Sequence, residues 1–171
     1  MMIDDKEKLN FKKETMIKNG IFLMLALMTV MTLNISCQEK QKQQNVNWLK
    51  IDDEIIQNYL AEHNIDATKP SSGIYYRITG EGNGKHPNSS SIVRVNYKGY
   101  LTDGSVFDES NSIEFPLSGV IDGWKIGIPL IDKGGSGQLF IPSPYGYGFQ
   151  ARPGIPSNSV LIFEVDLLDF H

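Results

Sequence analysis

The stretch LIFEVDLL, Leu161 to Leu168, alternates strictly for most of its length. Leu161, Phe163, Val165 and Leu167 fall on one face, and Glu164 and Asp166 on the other. Successive side chains of an extended chain point to opposite faces, so this period of two fits a half-buried strand and not a helix. The same period recurs upstream. GIYYRI puts Ile74, Tyr76 and Ile78 together, and IVRVNY sets Val93, Val95 and Tyr97 against Ile92, Arg94 and Asn96. QLFI, Gln138 to Ile141, is a further strand, and LTDGSVF contains Asp103-Gly104, a strong hairpin-turn signal. One helical pattern interrupts the strands. Asp122 is the expected N-cap, Trp124 and Ile128 lie four residues apart on one face, and Pro129 limits the helix to about two turns. The expected fold class is α+β, an antiparallel sheet with one short α-helix.

The first third of the chain reads differently. MIKNGIFLMLALMTVMTLNISC, Met16 to Cys37, has a short positive start at Lys18 and an apolar run from Ile21 to Leu33. That run is short for a membrane span and suited to the core of a signal peptide. It ends on Cys37, the one cysteine of the 171-residue chain, so no intrachain disulfide can form. A lone cysteine straight after an export signal resembles a bacterial lipoprotein box, in which the cysteine is lipidated and becomes the mature N-terminus. The alternative is an uncleaved anchor helix with an incidental cysteine. Met1 to Thr15 is charged in both signs, and Met16 is the more natural start of a leader. QEKQKQQNVN then reads as a solvated tether. DDEIIQNYLAEHN carries Ile55, Ile56, Tyr59 and Leu60 at helical spacing, with Asp52 or Asp53 as N-cap, and forms a short amphipathic helix packed on the domain or on a neighbour. The expected organisation is leader and lipoprotein signal over 1–37, tether and helix over 38–71, and a folded domain over 72–171.

A net charge of −4 argues against nucleic acid as a partner, because phosphate binding needs a cationic face. His63, His86 and His171 show no ligand spacing, so neither a metal nor a cofactor is expected. IPSPYGYGFQARPGIP, Ile141 to Pro156, is dense in proline and glycine, with Tyr145, Tyr147 and Phe149 on alternate positions. It reads as a stiff lip whose glycines let the backbone turn. Tyr147, between two glycines in this loop, is poorly placed for ordinary core packing, whereas Tyr145 reads as structural.

VNYKGYLTDGSVFDES, VIDGW, LFIPSPYGYG and PGIPSNSVLIFEVDLLDF follow one another in the order found in FKBP-type peptidyl-prolyl isomerases, and the chain resembles that family from about Ser72 to its end. With the lipoprotein signal, the layout is similar to FKBP-like lipoproteins associated with gliding motility. The resemblance implies a sheet wrapped around a short helix, with a prolyl residue bound between them. It makes Trp124 the pocket floor, Tyr97, Phe107 and Phe163 the walls, and Asp108 the polar member beside Phe107. Val120 and Ile121 line the entrance and offer a backbone N–H, Tyr147 directs its hydroxyl at the substrate carbonyl, and Ile155 closes the top. On pattern alone Trp124, Tyr97 and Phe163 are core residues and Asp108 a turn carboxylate.

Several positions depart from the family pattern. ESNSIE, between Asp108 and Phe115, is short and lacks an arginine to pair with Asp108. Ile113 stands where an aromatic wall is usual, which weakens the macrolide binding expected of such a pocket. Arg152 on the lip favours acidic substrates. The expected partners are proline-containing polypeptides and, through the lipid, a membrane of the cell envelope. Two functions fit: an isomerase that speeds folding of exported proteins, and a non-catalytic module that docks proline-containing segments of an envelope complex.

Overall fold

The computed structural model describes residues 47–171. Cys37 and the leader lie outside the described residues, as does most of the tether. Helix α1 (Trp48–Glu62) is followed by β1 (Tyr75–Gly80), β2 (Ile92–Tyr100), β3 (Val106–Pro116), α2 (Asp122–Gly127), β4 (Ser136–Ile141) and β5 (Leu161–Phe170). The strands form one antiparallel sheet in the order β1-β4-β5-β2-β3. β2 and β3 are joined by the expected turn, in which Gly104 takes φ +83°, the left-handed region that a side chain resists.

Alternation along the strands builds two cores, not one. On one face Val93, Val95, Leu139, Ile141, Leu161, Phe163, Val165 and Leu167 pack with Trp124 and Ile128 from around α2. Their neighbours on the other face form a row of paired residues, Tyr75–Phe140–Ile162–Tyr100, running across β1, β4, β5 and β2. Helix α1 covers this row with Ile56 and Leu60. The sheet is therefore sandwiched by α1 over part of its outer face, and Glu164 and Asp166 face outward beyond that cover.

Helix α1 begins earlier than its apolar spacing suggests. Asn47 is the N-cap and its Oδ1 accepts from Lys50 N, 3.2 Å. Asp52 lies inside the helix on its buried face, in line with Ile56 and Leu60 at intervals of one turn, while Ile55 stays 38 % exposed. Asp53 accepts from Tyr75 Oη (2.6 Å) and Gln57 Nε2 (2.9 Å) and pairs with Lys69, fastening α1 to β1. At α2 the cap is Ile121, not Asp122, which sits in the first turn and binds Lys125 at 2.9 Å. Pro129 falls in a 3₁₀ turn, Ile128–Leu130, which needs no amide donor there. That turn continues the direction of α2 and explains how proline is accommodated so close to the helix end.

Candidate active site

Helix α2 is too short to bury a face by itself. Its Trp124 is 4 % exposed and supplies most of what it presents to the sheet. Two glycines let it come close: a Cβ on Gly123 would stand 2.4 Å from Ile141, and one on Gly127 would stand 2.7 Å from Leu139. The indole becomes the hub of an aromatic cluster. Tyr97 meets it edge-on at 5.2 Å and 88°, Phe163 at 5.1 Å and 83°, and Phe115 lies tilted at 5.2 Å. Phe107 continues the wall, edge-on to Phe163 at 5.5 Å. Edge-to-face contacts let a ring's positive edge meet its neighbour's negative face, and they hold the rings in fixed orientations.

Above this cluster opens a cleft of about 540 Å³. It brings together Tyr97, Phe107, Asp108, Val120, Ile121, Trp124, Tyr147, Arg152, Ile155 and Phe163. Ile113 is not among its lining residues. β3 is kinked at Ser112, φ +52°, whose N–H turns to Asn96 Oδ1 at 2.9 Å, and Ile113 is left 38 % exposed. Phe115, two residues along the same strand, takes the wall position against the indole. Phe115, Gly119 and Pro153 line the cleft without having been picked out from the sequence. The signal for Phe115 was present, since residues two apart share a strand face. A separate hollow of about 300 Å³, lined by Asn96, Lys98, Glu109 and Glu164 among others, is polar and lacks such a floor.

Asp108 finds its partner in Tyr97, whose hydroxyl donates to Oδ2 at 2.7 Å, so no arginine is needed. Burial, then the bond to Asp108, pushes the Tyr97 phenol far above its ordinary value of 10.0. It is a proton-holding donor and not a base. Ile121 sits at the mouth with its carbonyl taken by Trp124 N and Lys125 N, while no described backbone carbonyl accepts its N–H.

The lip is folded on itself. Pro142 leads into a 3₁₀ turn, Ser143–Tyr145, and the Ser143 carbonyl accepts from both Gly146 N (2.9 Å) and Gly148 N (2.8 Å). Tyr147 stands between those two anchored glycines. Arg152 lies over its ring, 5.5 Å from the centroid, and Arg152 and Ile155 exchange backbone bonds of 2.9 Å. Tyr145 packs on Gly73, where a Cβ would approach its hydroxyl to 3.3 Å, in keeping with a structural part.

Residues 83–168 match the sequence profile of FKBP-type peptidyl-prolyl cis-trans isomerases, half of the chain. The chain belongs to this family. It is 47 % identical over 103 residues to the FKBP-type peptidyl-prolyl cis-trans isomerase FkpA of Escherichia coli K12, an alignment covering 58 % of this chain and 38 % of that protein. The crystal structure of Escherichia coli FkpA superposes with a TM-score of 0.65 at 31 % identity, covering 99 % of this chain and 83 % of that one. A peptidyl-prolyl cis-trans isomerase from Pseudomonas syringae pv. tomato gives 0.62 at 29 % identity, over 72 % of this FKBP-type chain and 92 % of that one. In sequence the match thus spans less than half the length of these curated relatives, 38 % of one and 43 % of another.

Proposed function

We propose that this protein is a peptidyl-prolyl cis-trans isomerase acting on exported or envelope polypeptides, held at a membrane by a lipid on Cys37. The observation that carries the reading is the Trp124 indole, ringed by Tyr97, Phe163 and Phe115 at the base of an open cleft. A flat aromatic floor with edge-on walls suits the ring of a prolyl residue.

Isomerising an X–Pro bond means breaking amide resonance, a barrier of roughly 18–20 kcal/mol. The planar amide is charge-separated and the twisted one is less so. A water-poor aromatic surface therefore disfavours the planar form more than the twisted one, and flanking contacts can hold the twist. No nucleophile or general base is required. Trp124 would seat the prolyl ring, and Phe107, Phe163 and Tyr97 would wall it in. The Ile121 N–H and the Tyr147 hydroxyl would receive the flanking carbonyls. The Tyr97–Asp108 bond fixes one wall and keeps the carboxylate occupied. Arg152 at the rim would favour peptides with an acidic residue near the proline, and Ile155 would cap the cleft. Macrolides that mimic a prolyl peptide would enter the same cleft, facing Phe115 where the sequence suggested Ile113. A place in a gliding-motility or other envelope complex rests on the lipoprotein layout alone.

The test is the cis-to-trans rate of an Ala-Leu-Pro-Phe peptide with the full-length chain in mild detergent. Acceleration that disappears with Trp124→Ala and Tyr147→Phe supports the isomerase. No acceleration, with the peptide still bound in calorimetry, would make the domain a docking module instead.

A further inference from the structure

Asp52 is the most deeply buried carboxylate among the described residues, with no exposed surface. It belongs to α1, on the face of the sheet opposite the cleft. Its Oδ2 accepts two hydrogen bonds from one residue, Ser143 N and Ser143 Oγ, both at 2.7 Å. Helix α1 has apolar anchors enough in Ile56 and Leu60, and burying a carboxylate among them costs free energy. What that carboxylate reaches is the first residue of the turn leading to the cleft's tyrosine. Ser143 in turn holds Gly146 N and Gly148 N through its carbonyl, the residues on either side of Tyr147.

We propose that Asp52 is a positioning residue for the cleft, setting the Tyr147 lip through Ser143, so that the seating of the tether-proximal helix α1 governs how well the site works. The proposal rests on the isomerase reading. The chain of contacts is short and continuous: carboxylate to Ser143 N–H, Ser143 carbonyl to Gly146 and Gly148, and those glycines to Tyr147. Charge-assisted bonds to a buried carboxylate are strong and directional, and they fix the start of the turn more tightly than packing alone would. Gly148 takes φ +56° and its carbonyl accepts from Asn158 N at 2.7 Å, so the far side of the lip is pinned as well. A change in the pose of α1 moves the hydrogen-bonded pin at the start of the lip, which comes from the opposite face of the sheet. Burial raises the Asp52 pKa while the two Ser143 bonds oppose that rise, which fits a carboxylate kept buried for the sake of those bonds.

The experiment compares wild type, Asp52→Ala, Asp52→Asn, Ser143→Ala, Tyr147→Phe and the Asp52→Ala/Tyr147→Phe double variant, all as full-length chain in mild detergent. It measures kcat/KM for the prolyl peptide and single-amide hydrogen exchange. Asp52→Ala should lower kcat/KM by about ten- to a hundredfold, the penalty of a small displacement of an aligned group. Asp52→Asn, which keeps an acceptor for the Ser143 N–H, should restore most of the loss. In the Tyr147→Phe background the further loss should nearly vanish, because both substitutions remove the same contribution. Exchange at Gly146 and Gly148 should quicken in Asp52→Ala while sheet amides such as Val165 hold.

An unchanged kcat/KM, an equal loss in both backgrounds, or exchange that rises across the sheet as much as in the lip overturns the proposal. If Asp52→Ala does not fold, Asp52→Asn and Ser143→Ala carry the comparison by the same criteria. A wild type without isomerase activity sinks the isomerase reading instead. The exchange data then judge the strut alone, and unaltered protection at Gly146 and Gly148 overturns it.

Discussion

The Tyr97 hydroxyl donates to Asp108 Oδ2 across 2.7 Å, joining neighbouring strands β2 and β3 at the wall of the cleft. Asp108 is exposed and keeps water on its other oxygen, whereas the half-buried Tyr97 hydroxyl has Asp108 as its partner, so removing the carboxylate leaves that hydroxyl without its acceptor. A double-mutant cycle with Tyr97→Phe and Asp108→Ala should give a coupling of about 1–2 kcal/mol in transition-state stabilisation, read from kcat/KM. The phenol should stay silent in an absorbance titration through its ordinary value of 10.0, because burial and the Asp108 bond both favour the protonated form. A normal titration of Tyr97 would show that the pair is not formed.

Gly99 is paired with Phe163 on one side and Asp108 on the other, at the place where the wall rings cross the sheet. A Cβ there would stand 2.6 Å from the Phe107 ring and 2.8 Å from Phe163. Gly99→Ala should therefore push both rings toward the cleft, cost about 1–3 kcal/mol in urea unfolding, and weaken binding of the prolyl peptide. Unchanged binding would mean that the two rings do not shape the site.

Trp124 is both core and floor. Trp124→Ala should destabilise the fold by about 3–5 kcal/mol, as large-to-small changes in a core do. Trp124→Phe should retain more of that stability and still lose affinity for the prolyl peptide, because a single ring covers less of the floor. Calorimetry beside chemical denaturation separates the two effects. Parallel loss of binding and stability in both variants would make Trp124 a packing residue alone.

Stability should carry the signature of Asp52. Its pKa is raised from 3.8 by burial, so between that value and its folded value the native state holds the proton more often than the unfolded chain does. The contribution is fully present below 3.8 and is lost as pH rises through the folded value. Asp53 works the other way. Its hydrogen bonds to Lys69 and Tyr75 lower its pKa, so its contribution is present above the unfolded value and lost as pH falls through the folded one. Urea midpoints measured from acid to neutral pH should fall more with rising pH in wild type than in Asp52→Asn. Equal slopes would show that Asp52 does not titrate as a buried group.

Period-two alternation and turn chemistry carried the strands, because the pleat alone dictates which neighbours share a face. The same rule, pressed further, contained the second core. Phe140 within QLFI and Ile162 within LIF are apolar where a one-sided sheet would be polar. Nothing local says that α1 is what covers them. The cleft residues became legible through motif order, yet Phe115 was passed over for Ile113, because a kink at Ser112 decides which of two in-phase residues meets the indole.

By itself, then, the chain's order of residues determined an antiparallel sheet, a short tryptophan-bearing helix and a glycine-rich lip. Those are consequences of backbone period, proline and glycine sterics, and burial of apolar faces, and each acts over a few residues. Only the tertiary structure decided that Tyr97 satisfies Asp108, that Gly99 makes room for two rings, and that Asp52 reaches Ser143 across 91 positions of sequence. Hydrogen bonds and steric contacts at that separation depend on register, twist and helix placement, which no local pattern encodes.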